Sequence, residues 1–377
     1  MPLALDLHLP VFRAGFGGAP TTSMITDLAG RIDSYEHSIS ATFGFESMRV
    51  TLATDVDEAL EMLSSWLMAS TVVAAPDGEI IWEGYLARID AQFGQETRSV
   101  SLDQMANRVT VRYTTVLGTQ ASTGPLSDST SIARYGTKDT VLSLPETTLT
   151  AAQNFRAAEL ARRKDPRMTP STEIRSGEAG VVQVTLVFAG WYDTLGWLLT
   201  SNTATSSAMT TTQVGNLLAT AAATNPFIAT TTADIEASNI SDTQYIAPDT
   251  TIRDAIERLL RQGQSSGQRL AWGVYENRRF RVKTWAGANP TTITYRRQLG
   301  STTLLTRSEV LPWLVRPDAM YEVADLLDNA PVGTTPDAAG RCYIERVVFR
   351  VSGEGIGVQL EPQQSDALDA RLARLGS

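Results

Sequence analysis

The stretch Ser131-Ile-Ala-Arg-Tyr-Gly-Thr-Lys-Asp-Thr-Val-Leu-Ser-Leu144 lies between two halves of the chain that are rich in predicted strands. It runs into a predicted helix over residues 150–164. The stretch carries no pattern typical of a catalytic site. The order of strands, connector, helix and further strands indicates a multi-part β-rich protein with a binding or structural role.

The flanks of this stretch predict a loop before it and a helix after it. Residues 116–130 are polar and rich in Gly, Pro and Ser, which favours a connection. Thr150 and Gln153 have the spacing of a capping box, which predicts the start of the helix. Asp165-Pro166 ends it, because proline disfavours helical backbone in the residue before it.

Composition excludes several classes of protein. The 377 residues are 42% hydrophobic and 19% charged, and they carry a formal net charge of −9. This balance is typical of a globular chain and disfavours nucleic-acid binding through a basic face. An acidic surface would repel DNA and let it slide past, although the same charge is ordinary for a soluble protein. With one cysteine, an intramolecular disulfide cannot form.

The beginning of the chain predicts a strand. Residues 1–10 lack a basic start and include Asp6 and His8, so a signal peptide is not expected. No apolar run approaches ~18 residues, so the sequence predicts no membrane-spanning segment.

Residues 1–115 are predicted to form one unit. Strands are expected at 39–45, 49–53, 97–102 and 109–113, with a hairpin at 70–89 that turns at Pro76-Asp-Gly78. Between them, a helical spacing predicts one apolar face, made by Val56, Ala59, Leu60, Leu63, Trp66 and Leu67.

The second half mixes strands and helices. Residues 181–188 form the strongest strand pattern, and a hairpin is predicted at 341–361. A short helix is expected near 214–224. The clearest helix covers 249–262, with Thr250 or Thr251 as its cap and one apolar stripe of Ile252, Ala255, Ile256, Leu259 and Leu260.

Carboxylates offer the main route to enzymatic chemistry. Glycoside cleavage uses two carboxyl groups near aromatic rings. Glu83 beside Trp82, and Glu276 in Val-Tyr-Glu-Asn, are the nearest candidates, although both fit structural positions on strands or turns. The segment 276–281 is a basic strip that would touch phosphate or sugar, or simply form a solvated hairpin face.

The remaining motifs favour structural interpretations. Gly15-Phe-Gly-Gly18 lacks the Gly-Lys-Ser/Thr of a phosphate loop. His8 and His37, the two histidines, have no ligand spacing for zinc and argue against a Ser-His-Asp triad. Cys342 lies in a strand pattern and reads as a packed thiol.

An acidic run also has two interpretations. Asp55, Asp57 and Glu58 suit a helix N-terminus better than a Ca²⁺ loop, because the loop glycine and distal Glu are missing. The sequence predicts no catalytic, cofactor-binding or metal site.

Five segments, in this order, resemble the baseplate hub (tail hub) proteins of long-tailed bacteriophages. They are the hairpin around Trp82-Glu83-Gly84, Ser131–Gly136 with its following strand and helix, Gly190–Trp197, Trp272–Phe280, and Val315–Asp318 with the C-terminal hairpin. The similarity extends over most of the chain, and no peptidase or lysozyme appendage is visible.

The resemblance implies a fold that is mainly β with a few helices, in which two tube-like β-barrels carry an inserted α/β region. Its parts would be a first barrel at 1–115, a connector with a helix at 116–170, a second barrel at 171–200 and 305–365, an insertion at 201–304 and a tail at 366–377. The hairpin at 341–361 would supply partners for the strand at 181–188.

The resemblance also implies a non-enzymatic virion protein without cofactors, made in the host cytoplasm and placed at the tail tip. Three copies would close the distal end of the tail tube and adapt its six-fold symmetry to a three-fold tip, around a channel for DNA. The expected partners are the tail tube or distal tail protein, the tape-measure protein and tail-tip or fibre proteins. DNA would pass without specific binding. The alternative is a carbohydrate-active or carbohydrate-binding β-protein with a carboxylate pair in an aromatic cleft.

Overall fold

A computed structural model describes most of the chain. The described residues are 9–12, 24–28, 30–75, 78–94, 96–171, 181–200, 205–266, 269–284, 291–297, 304–307, 317, 320–324, 341–353 and 355–362. His8, residues 15–18 and the tail at 366–377 lie outside them, as do Val315, Arg316 and Asp318.

Strands dominate the described residues. They are β1 Pro10–Phe12, β2 Met24–Asp27, β3 Ile32–Ser40, β4 Gly44–Thr54, β5 Ser70–Ala74, β6 Ile80–Phe93, β7 Glu96–Ser101, β8 Arg108–Thr114, β9 Gln120–Ser127, β10 Asp139–Glu146, β11 Met168–Ser171, β12 Val182–Gly190, β13 Thr205–Met209, β14 Ser241–Tyr245, β15 Leu270–Val274, β16 Phe280–Thr284, β17 Thr291–Arg297, β18 Leu304–Arg307, β19 Met320–Ala324, β20 Arg341–Ser352 and β21 Gly355–Pro362.

The α-helices are α1 Val56–Ser65, α2 Ser129–Tyr135, α3 Leu149–Arg163, α4 Thr210–Thr224 and α5 Ile252–Leu260. A seven-residue 3₁₀ helix, Trp191–Trp197, follows β12 directly. The prediction of a mainly β chain with a few helices is therefore confirmed. Among the described residues, no helix is long and apolar enough to cross a bilayer.

One large sheet contains most of the strands, in the order β18-β17-β19-β20-β3-β4-β12-β6-β5-β1-β2, with further strands branching from it. Along this path the described strands do not close into a barrel, so the two predicted barrels are not found. The domain boundaries stay a prediction.

Strand β12 lies between β4 and β6 and is antiparallel to both, with Val182 opposite Thr54 on one side and Phe93 on the other. Its apolar residues alternate inward, as the strand pattern predicted. The expected partner was wrong: the hairpin β20–β21 forms as predicted, but β20 pairs with β3 instead. The segment after residue 180 therefore belongs to the same sheet as β4 and β6.

Strand β8, at the end of the predicted first unit, forms a small layer with the predicted connector: β10 is parallel to β8, β9 is antiparallel to β8, and α3 packs on the sheet. The prediction of a loop over 116–130 was wrong, because it contains β9. This strand is polar because it is an edge strand with alternating exposed residues, so hydrophobicity did not reveal it.

Helix α1 forms where expected, but its buried face differs from the predicted one. Ala59 and Leu63 are buried together with Met62, whereas Val56 and Leu60 are 43% and 38% exposed. The helix ends at Ser65, so the Trp66 and Leu67 side chains pack from the turn beyond it. In α5, by contrast, all five residues of the predicted stripe are buried.

The cap of α3 lies two residues before the predicted one. The Thr148 hydroxyl oxygen accepts a hydrogen bond from the Ala151 backbone N–H, and Thr150 lies inside the helix. The pairing of β10 with β8 determines where α3 begins. The Thr147 N–H donates to the Thr114 carbonyl, so the strand ladder continues up to the residue before the cap.

Replacing Thr148 with alanine is expected to lower the free energy of unfolding by about 1 kcal/mol, because one orphan N–H of the first turn loses its acceptor. Thr150→Ala is the matched control and should have little effect. Urea unfolding of both variants checks the prediction, and an equal or larger loss in Thr150→Ala would contradict the observed cap.

Candidate functional site

The predicted acid Glu83 lies in a buried ion pair. It is on β6, where it is 5% exposed, and Arg278 of the β15–β16 turn is 4% exposed. The Arg278 backbone N–H donates to Glu83 Oε2 at 3.2 Å, and its Nε donates to Oε1 at 3.3 Å. Burial raises the pKa of Glu83, although Arg278 opposes that rise. Burial also lowers the pKa of Arg278.

The turn that carries Arg278 holds two consecutive residues in the left-handed region. Asn277 has a φ of 61° and Arg278 a φ of 57°. Tight hairpin turns of this kind favour Asn-Gly, so an arginine in the second position costs about 1–2 kcal/mol. The contacts of Arg278 with Glu83 offset this cost, and the turn is thereby pinned to β6, 195 residues away in the sequence.

Aromatic rings surround the ion pair. The Arg278 guanidinium carbon lies 4.0 Å from the Trp191 ring centroid, within the range of a cation–π contact. Trp191 in turn packs against Tyr85 and Phe227, with ring centroids 5.2 and 5.4 Å apart. We call Glu83, Arg278, Tyr85, Trp191, Trp197 and Phe227 the central junction.

The connector reaches the central junction through Gly136. This residue has a φ of 80°, and a Cβ atom there would lie 2.5 Å from the Phe227 ring, so glycine fits both the conformation and the space. Beside it, the Asn225 side-chain amide exchanges two 2.8 Å hydrogen bonds with the backbone of Thr137. The stretch 131–144 is thus fixed against the end of α4 by a satisfied buried amide.

Four of the five segments singled out in the sequence therefore converge on one buried cluster. Glu83, Gly136, Trp191 and Arg278 each come from a different segment. In the fifth segment, Val315, Arg316 and Asp318 lie outside the described residues, and the C-terminal hairpin pairs with β3 through β20. The sequence did not predict this convergence, and the only signal was the shared presence of Tyr and Gly beside charged residues, with Trp in three of the four segments.

The other carboxylates that were considered for chemistry also have structural partners. Glu276 pairs with Arg281 at 2.7 Å. Asp55 caps α1 by accepting from the Glu58 N–H, and Glu58 pairs with Arg31. Asp57 lies in the first turn, as the helix-dipole interpretation predicted. Within the described ranges, no group of three or more His, Cys, Asp or Glu is placed to hold a metal.

The basic strip 276–281 is not a free cationic face. Arg278 is buried against Glu83, and Arg279 pairs with Asp234 at 2.7 Å. His37 is buried, with its Nδ1 2.8 Å from the Tyr35 hydroxyl, and it stacks on Phe349. Cys342 lies in β20, as its strand pattern predicted.

No protein-family description and no curated protein sequence matches this chain. Several solved structures match this chain, among them the following three. A tail protein from Neisseria meningitidis is 10% identical, with a TM-score of 0.46, over 96% of this chain and 97% of its own.

A 43 kDa tail protein of prophage MuSo2 from Shewanella oneidensis is 9% identical, with a TM-score of 0.46, over 97% and 98% of the two chains. The prophage tail protein gp18 from Listeria monocytogenes is 11% identical, with a TM-score of 0.37, over 98% of each chain. With TM-scores below 0.5, these likenesses define neither the fold nor the function of this chain.

The contacts of the central junction hold distant segments of the chain together. Glu83 is buried and accepts hydrogen bonds from Arg278, whose guanidinium lies against the Trp191 ring, so its carboxylate is not open to a substrate. Glu276 lies in the turn that carries Arg278, but its carboxylate pairs with Arg281. The two predicted carboxylates therefore do not form the open, paired arrangement that glycoside cleavage needs.

Replacing Glu83 with alanine is expected to lower the free energy of unfolding by about 3–5 kcal/mol, because Arg278 would be left as a buried charge without its partner. The double variant Glu83→Ala/Arg278→Ala should lose less than the sum of the two single variants. Urea unfolding measures all three. Glu96→Ala, in the exposed pair with Arg98, is the control and should unfold like the wild type. Wild-type stability of Glu83→Ala would contradict a structural role for the pair.

Proposed function

We propose that this chain is a structural protein of a bacteriophage tail and that it serves as the baseplate hub. The observation that carries the proposal is the convergence at the central junction. The segments that resemble the hub family hold the sheet, the connector and the inserted region together. They therefore have the cohesive role that a structural subunit needs, and their carboxylates are committed to ion pairs.

In this role, three copies form a ring that closes the distal end of the tail tube. A closed ring would cover edge strands such as β21, which a free subunit leaves exposed. The ring adapts a six-fold tube to a three-fold tip and contacts the tube or distal tail protein, the tape-measure protein and tip or fibre proteins. The net charge of −9 supports a channel in which DNA phosphates meet like charge and pass without binding.

The assembly is tested by electron microscopy of intact tails together with the mass of the purified chain. The expected result is three copies at the distal end of the tube around a channel whose wall is not mainly Lys and Arg. A monomer bound outside the tail, or a channel lined by basic residues, would refute the hub role.

The absence of catalysis is tested separately with peptidoglycan and polysaccharide substrates. We expect no turnover. Turnover that is abolished by Glu83→Gln or Glu276→Gln would overturn the non-enzymatic proposal, whatever the state of assembly.

A further inference from the structure

A cavity of about 550 Å³ opens beside α5, away from the Glu83–Arg278 ion pair. Its walls come from four places: the turn between β3 and β4, the C-terminal half of α5 with the residues that follow it, strand β15 with Arg269 before it, and Glu345 of β20. The backbone joins two of these walls, because the Trp272 N–H donates to the Ala41 carbonyl and the Val274 N–H to the Phe43 carbonyl. The cavity is therefore built by paired backbone segments, and its size is within the range of small-ligand sites.

The apolar part of the wall is aromatic. Phe43 is half-buried and Trp272 is 4% exposed, and both line the cavity. The Phe43 ring is held in place by Tyr192, whose centroid lies 5.3 Å away, and Tyr192 is stacked in turn on Phe280. A ring supported from behind in this way offers a fixed face to a ligand.

The polar part of the wall carries both signs of charge. Glu257 and Glu345 supply carboxylates, and Arg261 and Arg269 supply guanidinium groups. Glu257 is oriented by Arg261, whose Nη2 lies 3.0 Å from Glu257 Oε2. Burial raises the pKa of Glu257. The wall thus presents acceptors and donors side by side, with no excess of either charge.

We propose that this cavity binds a neutral oligosaccharide, with the CH face of a sugar ring against Phe43 and hydroxyl groups on the Glu257 carboxylate and the Arg261 guanidinium. Sugar hydroxyls both donate and accept hydrogen bonds, so they match a wall with equal numbers of carboxylates and guanidinium groups. A peptide of one charge sign would be attracted by one half of that wall and repelled by the other half, with no net electrostatic gain. This site goes beyond the structural role proposed above, and it needs no catalytic group.

The test is titration of the purified full chain with maltotriose, cellotriose and triacetylchitotriose, followed by calorimetry and by saturation-transfer NMR. At least one of these sugars is expected to bind saturably with a millimolar or lower Kd, and saturation should be strongest at ring CH protons. Phe43→Leu keeps an apolar side chain but removes the ring. Arg261→Ala removes an exposed donor. Each variant should weaken binding by about tenfold.

Arg258→Ala is the control, because Arg258 is exposed on the same helix and does not line the cavity; its affinity should equal that of the wild type. Circular dichroism of each variant confirms that it is folded. Three results would overturn the proposal: no binding of any of the three sugars, binding that Phe43→Leu and Arg261→Ala leave unchanged, or binding of trilysine or triglutamate in place of the sugars. None of them bears on the assembly of the tail, so the two proposals can fail independently.

Discussion

Replacing Gly190 with alanine is expected to abolish folding of the purified chain. Gly190 is the last residue of β12 and lies opposite Gly84 of β6. A Cβ atom at Gly190 would lie 1.7 Å from the Phe45 carbonyl oxygen, and that oxygen belongs to the backbone of β4. A flexible side chain can move away from such a contact, but a paired strand cannot, so β4 and β12 would have to separate.

The expected loss is more than about 4 kcal/mol, which is exceptional for the addition of one methyl group. Soluble yield and urea unfolding measure it. Gly215→Ala is the matched control: Gly215 lies in α4, and a Cβ atom added there would meet nothing within 4 Å. Because alanine favours helix, this variant should be more stable by up to about 1 kcal/mol. A Gly190→Ala protein that unfolds like the wild type would contradict the pairing of β12 with β4.

Replacing Ile256 with aspartate is expected to cost several kcal/mol, on the order of 4 or more, because a carboxylate would be placed in an apolar core. Ile256 is fully buried and lies on the stripe that α5 packs inward. Thermal and urea unfolding measure the loss.

Two further variants serve as controls for this prediction. Ile256→Val removes one methyl group and should cost only about 0.5–1.5 kcal/mol. Leu60→Asp places the same charge on α1 at a residue that is 38% exposed, so about 1 kcal/mol or less is expected. If Ile256→Asp and Leu60→Asp were equally stable, the burial of the α5 stripe would be wrong.

Local sequence patterns identified single candidate residues of the site but not their partners. The sequence drew attention to Glu83 and Glu276 because each lies beside aromatic residues. It did not indicate that Glu83 would meet Arg278, since an ion pair between residues 195 positions apart leaves no local period. Nor did it indicate the cavity beside α5, whose walls come from four separate segments of the chain.

The sequence by itself determined the elements whose signal is local. The stripe of α5, the hairpin β5–β6 and the hairpin β20–β21 all follow from periodicity and turn residues, and each formed as predicted. These elements are specified by side chains a few residues apart, which is the range over which helical and strand periods act.

Tertiary structure alone decided where those elements lie. Strand β12 has an apolar alternation that suits any sheet, and its position between β4 and β6 depends on the space that Gly84 and Gly190 leave for close backbone approach. Strand β9 is polar, and its ladder with β8 made it a strand. The physical reason is the same in both cases: every residue except proline offers the same backbone donor and acceptor to a distant strand, so the partner is chosen by packing and not by the local sequence.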